Sequence, residues 1–274
     1  MTKSTKTILW VFFLIVALVQ LFPLIWLVDF SFLSSNEFYS SSVLKWPSDP
    51  QWQNYINAWV DGKFLRYFIN SAFVTSVTIL LTVILSLTLG YAFTRMQWKL
   101  RPIFFTIILL GIMIPIHATL LPNFAIFKAL GLTNSYLGLI LPYTAVSVPL
   151  GTFILTGFMR SIPRAMEESA VVDGANIYRI VFQIIAPLTA PALVTVIVTT
   201  FLNCWNEFIM ASTFLSKDAL KTLPFSVMNF AGQYSSDYGS QFAVMVLTSI
   251  PAIVIYAIFN EQITKGVTAG AVKG

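Results

Sequence analysis

Residues 161–187 read SIPRAMEESAVVDGANIYRIVFQIIAP, a polar stretch between two long runs, 129–159 and 180–206, that carry no charge at all. Ser161 is placed to cap a helix, with Pro163 in the first turn, where its missing N–H costs nothing. Glu167 and Glu168 then lie in the N-terminal half, where the helix dipole favours acids. Ala165, Ser169 and Val172 recur at i, i+4 and i+7, giving a face of small residues that another protein can approach closely. Asp173-Gly174 ends the helix, because glycine takes the left-handed cap without strain. Asn176 can cap a second helix that runs through 180–185 into the next apolar run. The stretch therefore predicts a short helix, a turn and a re-entry.

The flanking runs decide what it is inserted into. Apolar residues make up 57% of the 274-residue chain and charged residues 10%, with a mean hydropathy of +0.80. A soluble domain carries roughly 25% charged residues to hydrate its surface, so the solvent of this chain is lipid. Six uncharged runs, 7–28, 67–94, 102–127, 129–159, 180–206 and 238–260, each reach the roughly 20 residues a helix needs to cross hydrocarbon. They are continuously apolar and do not alternate, which excludes a barrel. The prediction is an all-α integral membrane protein of six transmembrane helices in one domain, 1–274, with the polar insertion at 161–183. The first run exceeds a signal-peptide core and no cleavage site follows it, so it reads as a retained anchor.

Charge sets the orientation. Ten of the sixteen lysines and arginines (Lys3, Lys6, Arg95, Lys99, Arg101, Arg160, Arg164, Arg179, Lys265 and Lys273) fall on the side shared by both termini and the 161–183 loop. By the positive-inside rule that side is cytoplasmic. The net charge of +5 sits in short clusters at the ends of apolar runs, a pattern for anionic lipid and not for nucleic acid. The opposite connections, about 31–66 and 213–237, read either as solvated linkers or as a docking surface. Prolines 115, 122, 142, 149, 187 and 191 interrupt the third, fourth and fifth runs and predict bends. Cys204, the one cysteine, is packing filler, and no internal disulfide is possible.

Catalytic chemistry is missing from the pattern. No Gly-x-x-x-x-Gly-Lys-Ser/Thr occurs, so ATP cannot be held through a P-loop, and the single His117 has no partners at metal-ligand spacing. The polar residues within spans are His117, Asn203, Asn206 and Glu207. His117 and Glu207 either line a wet path or hydrogen-bond to neighbouring helices, since an acid at membrane depth needs one or the other. With the ring of Trp205, Asn203 and Asn206 have the chemistry that grips a sugar. A secondary carrier would show two related halves, and no duplication is visible. An intramembrane hydrolase would need a catalytic constellation.

Glu168-Ser169-Ala170, then Gly174, Ile184 and Pro187 match the spacing of the EAA loop in permeases of binding-protein-dependent ABC importers. That pattern is Glu-Ala-Ala, three residues, Gly, nine residues, Ile-x-Leu-Pro; Ser169 and Ala186 replace an alanine and the leucine. Phe22-Pro23-Leu24-Ile25-Trp26, Phe68-Ile69-Asn70-Ser71, Tyr91-Ala92-Phe93-Thr94-Arg95, Cys204-Trp205-Asn206-Glu207-Phe208 and the tail 266–274 extend the likeness over the whole chain. Together they resemble the maltose-permease-like branch, which imports di- and oligosaccharides and, in some members, glycerol phosphates. The resemblance implies a type I importer fold in a bacterial or archaeal cytoplasmic membrane. It implies a second homologous permease, two ATPase subunits that hold ATP and Mg, and an extracytoplasmic solute-binding protein. It implies that Glu167, Glu168, Ser169, Ala170, Asp173 and Gly174 couple to the ATPase, that His117, Asn203, Trp205, Asn206 and Glu207 border the path, and that the chain binds no cofactor itself.

Overall fold

A computed structural model of the chain describes residues 3–40, 46–232 and 236–271; the side chains of 39–40 and 262–271, and with them most of the 266–274 tail, lie outside that description. The helices run α1 (Lys3–Phe30), α2 (Ser35–Ser40), α3 (Gln53–Val60), α4 (Phe64–Thr94), α5 (Arg101–Leu110), α6 (Leu120–Ala129) and α7 (Leu137–Met159). They continue as α8 (Ala165–Val172), α9 (Ile177–Arg179), a π-helical turn at Ile180–Ile185, α10 (Ala186–Leu188), α11 (Ala190–Trp205), α12 (Ile209–Phe214), α13 (Phe225–Met228) and α14 (Tyr238–Ala271). Among the described residues the only extended pairing is an isolated bridge between Ala231 and Ser236.

Among the described residues four helices are long and apolar enough to cross a membrane, and the count reaches six when each of two bent pairs is one crossing. The third and fifth predicted spans are therefore broken rods. Arg101–Met113 meets Ile116–Ala129 at 95°, because Ile114 and Pro115 are extended, with ψ of 113° and 125°. Proline disfavours the helical conformation at the residue before it. Ile177–Leu188 meets Ala190–Trp205 at 83°, around Thr189 between Pro187 and Pro191. The Thr189 hydroxyl is buried and donates to the carbonyls of Ile185 (2.9 Å) and Ala186 (3.1 Å). Pro142 and Pro149, by contrast, sit inside an unbroken α7.

The chain divides into two compact units, 1–67 with 223–250 and 68–222 with 251–274. In the first, most of α1 is exposed, and its end joins an aromatic cluster of Trp26, Phe30, Phe38 and Phe242. The buried Asn54 amide donates to the carbonyls of Ser31 and Leu33, both at 2.9 Å, and Ser226 donates to Gly62 O at 2.6 Å. The described parts of 31–66 thus carry two short helices, α2 and α3, and buried residues of their own, Ser31, Leu33, Asn54 and Ala58, which a plain solvated linker would not.

In the second unit α4 carries a stripe of small hydroxyl residues, Ser71, Thr75, Thr78, Thr82 and Ser86, all buried. At i+3/i+4 spacing these occupy one helix face and let backbones approach, as small residues do in membrane helices. Ser86 donates to Val148 O on α7 (3.2 Å). A Cβ on Gly151 of α7 would lie 2.4 Å from the Ser86 hydroxyl and 3.1 Å from Val196 of α11. Leu87, Leu155, Met159, Ile185 and Val196 complete this core. Gly151→Val is expected to lower the melting temperature of the detergent-purified protein by several degrees, as overpacking costs about 1–3 kcal/mol. Gly157→Ala, with nothing within 4 Å of the new methyl, is expected to leave it within about 1 °C by the same reasoning.

Candidate functional site

The 161–187 stretch folds as a helix, a turn and a re-entry, with one change at its start. Ser161 is not the N-cap: its hydroxyl donates to Phe158 O at 2.7 Å, closing the end of α7. Helix α8 starts instead from Arg164, whose carbonyl receives the N–H groups of Glu167 (2.9 Å) and Glu168 (3.0 Å), with no side-chain cap. Gly174 has φ +80° with open space around it, and the Ala175 N–H donates to Ala170 O at 2.9 Å. This is a Schellman-type closure, and it needs glycine for its backbone angle alone. Asn176 caps the next helix by accepting from the Arg179 N–H at 2.9 Å.

Burial sorts the residues of α8 into two faces. Glu168, Ser169, Asp173 and Gly174 are exposed, together with Met166, Val171, Val172 (87%) and, beyond the turn, Tyr178 (73%). Apolar side chains this exposed, on a helix too short to cross a membrane, have no covering partner among the described residues. Ala170 is half-buried against the core. Glu167 departs from the expected docking surface, being 8% exposed and turned inward.

There its Oε1 meets Arg95 Nε at 2.6 Å. The same guanidinium donates through Nη2 to Met159 O (3.0 Å) and Ile162 O (2.8 Å). Those carbonyls lie at and just beyond the C-terminal end of α7, where the helix dipole favours a cation. Beside the pair, Tyr91, Arg164, Glu168, Val171 and Ile180 help to line a cleft of about 320 Å³. Taking away one member of such a buried pair costs about 3–5 kcal/mol. The Tyr91–Arg95 motif was visible in the sequence; nothing there assigned Arg95 a partner 72 residues away.

A second cavity, of about 760 Å³, brings together His117, Asn203, Asn206 and Glu207, with Ile116, Tyr143, Ser147 and Cys204 among its other walls. The break at Ile114-Pro115 puts His117 there, and the bend at Thr189 aims α11 so that its C-terminal end forms the opposite wall. Trp205 is the exception among the expected residues. It is 2% exposed, stacked on Phe201 and edge-on to Phe68 at centroid distances of 5.2 and 5.5 Å, so it offers no ring face to the cavity. Its neighbour Asn203, two residues away, takes the other side of the helix.

Glu207 is committed to the fold as well as to the cavity. It accepts from the N–H groups of Met210 (2.8 Å) and Ala211 (3.2 Å), capping α12, and from the Tyr143 hydroxyl of α7 (2.5 Å). Asn70, in the Phe68–Ser71 motif, does a similar clamping job, donating to Ala219 O and Lys221 O and accepting from the Tyr136 hydroxyl. Glu207→Ala leaves three donors without an acceptor, at about 1–3 kcal/mol each where they are buried. Its melting temperature in detergent is expected to fall by more than 5 °C, against under 2 °C for Asn203→Ala.

Residues 82–269 match the model of a family described as binding-protein-dependent transport system inner membrane component. The chain is 34% identical to the sulfoquinovosyl glycerol transport system permease protein SmoH of Agrobacterium fabrum, covering 93% of this chain and 89% of that one. It is 32% identical to the trehalose/maltose transport system permease protein MalG of Thermococcus litoralis, over 95% and 94%. Its fold matches a chain in a crystal structure of a bacterial ABC transporter involved in import of the acidic polysaccharide alginate, with TM-score 0.82, 22% identity and 95% and 98% coverage. With more than half of its length inside the family model and relatives above 30% identity along nearly the whole chain, the protein belongs to the family of inner membrane components of binding-protein-dependent transport systems.

Proposed function

We propose that this chain is one permease of an ATP-driven sugar importer and that α8 is where the ATPase docks. The observation that carries the reading is the outward stripe of Ala165, Glu168, Ser169 and Val172, flanked by exposed Met166 and Val171, on a short helix rooted in the core. The residue to contact an ATPase directly is Glu168, on the same exposed surface, whereas Glu167 works from beneath. A second homologous permease covers the exposed flank of the helices, and two ATPase subunits hold the ATP and Mg. An extracytoplasmic binding protein delivers the sugar to the 31–66 and 213–237 side. The charge asymmetry supports α8 and both termini lying in the cytoplasm, and the relatives' sources support a bacterial or archaeal membrane. Closure of the ATPases on α8 favours the outward-open state, and hydrolysis returns the inward-open one, a population shift driven by differential binding.

The cavity narrows the cargo. Its walls offer neutral hydrogen-bonding groups, Ser147, Asn203 and Asn206, with one imidazole and one carboxylate, and no lysine or arginine. An acidic saccharide or a glycerol phosphate entering it would meet Glu207 with no cation to offset the repulsion, and carboxylate and phosphate sites normally recruit arginine. The reading is therefore an uncharged di- or oligosaccharide. The trehalose/maltose relative supports a sugar as the cargo; the neutral charge rests on the cavity walls alone.

The test is the assembled importer in proteoliposomes with its binding protein. ATP turnover is expected to rise several-fold with a neutral oligosaccharide and to stay at the unstimulated level with uronic-acid saccharides or glycerol phosphate. Stimulation by the acidic set alone would overturn the neutral cargo, and uptake driven by an ion gradient without an ATPase would overturn the importer reading. Glu168→Lys is expected to cut uptake by at least about tenfold, roughly 1.4 kcal/mol of coupling, with the chain still inserted. Gly174→Pro is expected to do the same, since proline fixes φ near −65° against the +80° found here. Wild-type uptake in both variants would remove α8 from the coupling route.

A further inference from the structure

Arg95 and Glu167 join three elements at one point: the end of α4, the end of α7 and the middle of α8. The contacts are the 2.6 Å ion pair and the two carbonyl bonds of the guanidinium. Both side chains are about nine-tenths buried. On its other side α8 is followed by a turn at Gly174, then by the π-helical stretch Ile180–Ile185 and the 83° bend at Thr189. A π-helical turn and a proline-flanked bend are the places where a helix yields. A push on α8 thus has a compliant route along the chain and a stiff one through the ion pair.

We propose that Arg95 and Glu167 are positioning residues of the transport cycle: their ion pair straps α8 to the ends of α4 and α7, so that movement imposed on α8 is delivered to those two helices. The proposal rests on the reading that α8 receives an ATPase. The strap matters to the cargo because α7 carries Tyr143 in the cavity wall as well as Met159 at the strap. The guanidinium suits this task because its planar fork serves one carboxylate and two carbonyls together, which the single ammonium of lysine does not.

The test uses the complete importer in nanodiscs, with five forms of this chain: wild type, Glu167→Gln, Arg95→Gln, the double variant and Arg95→Lys. The double variant leaves no unpaired buried charge and so keeps the measurement meaningful where a single variant folds poorly. The readouts are recovery of the ATPase subunit on purification, maximal ATP turnover with sugar-loaded binding protein, and the binding-protein concentration giving half of it. All forms are expected to retain the ATPase subunit. The three glutamine variants should lose at least about tenfold in maximal stimulation with the half-saturating concentration within about twofold of wild type, a loss of turnover without a loss of binding. The double variant should be no worse than the poorer single one, because both residues act through one contact. Arg95→Lys should recover only part of the stimulation. Wild-type stimulation in the double variant, multiplicative losses, or loss of the ATPase subunit on purification would each overturn the strap. An unstimulated wild-type complex would instead overturn the importer reading on which it rests.

Discussion

Hydrocarbon offers the backbone no hydrogen-bond partner, and the rest of this structure follows from that constraint. Each lipid-facing segment must satisfy its own peptide groups, so the apolar runs fold as helices. At several departures from regular helix a side chain adds a bond to the backbone. At Thr189 the side-chain hydroxyl joins the N–H on the carbonyls of Ile185 and Ala186; around Arg95 a guanidinium serves the carbonyls of Met159 and Ile162 at and just beyond the end of α7. At 207–211 a carboxylate meets the first N–H groups of α12. Each device that repairs the backbone also positions a functional element. The bend aims α11 at the cavity, the guanidinium holds α8, and the carboxylate shapes the cavity wall.

The cavity and α8 lie at opposite parts of α7. Tyr143 and Met159 are sixteen residues apart, about 24 Å along a helix, most of the depth of a hydrocarbon core. Pro142 and Pro149 do not break α7, and its close contact with α4 at Gly151 and Ser86 holds the two helices together between those ends. In the proposed cycle these helices act as the stiff body, while the segments on either side of Thr189 and of Ile114-Pro115 supply the give. Rigid elements with two arrangements are what coupling between distant sites requires.

Much of this was legible from residue types. Lack of charge over runs of twenty residues or more located every apolar segment, since stripping a charge of its hydration in lipid is so costly. The Asp173-Gly174 and Asn176 signals located the turn and the cap, which depend on local backbone chemistry alone. The membrane side of the termini rests on the charge count still. What sequence did not reveal was direction. Asn203 and Trp205 sit two apart on one helix, yet one lines the cavity and the other fills the core, and only packing against Phe68 and Phe201 decides which. Adjacent Glu167 and Glu168 likewise point inward and outward, because Arg95 is under one of them. Ser161 has the chemistry of a cap for either neighbouring helix and was claimed by the earlier one. The severity of the bends also escaped: proline marks where a helix is weak, but tertiary packing sets whether it turns by 95°, as at Ile114-Pro115, or not at all, as in α7.

The central claim, that energy enters this chain through the exposed face of α8, is tested most directly by a photo-crosslinking side chain at Val172 in intact membranes. The account predicts an adduct with the ATP-hydrolysing subunit, identified by mass spectrometry, whose yield changes when a non-hydrolysable ATP analogue is present. The same label at Phe153, an exposed position on α7, should give no such adduct. Absence of any ATP-hydrolysing protein from the Val172 adducts, in membranes where the importer is active, would contradict it.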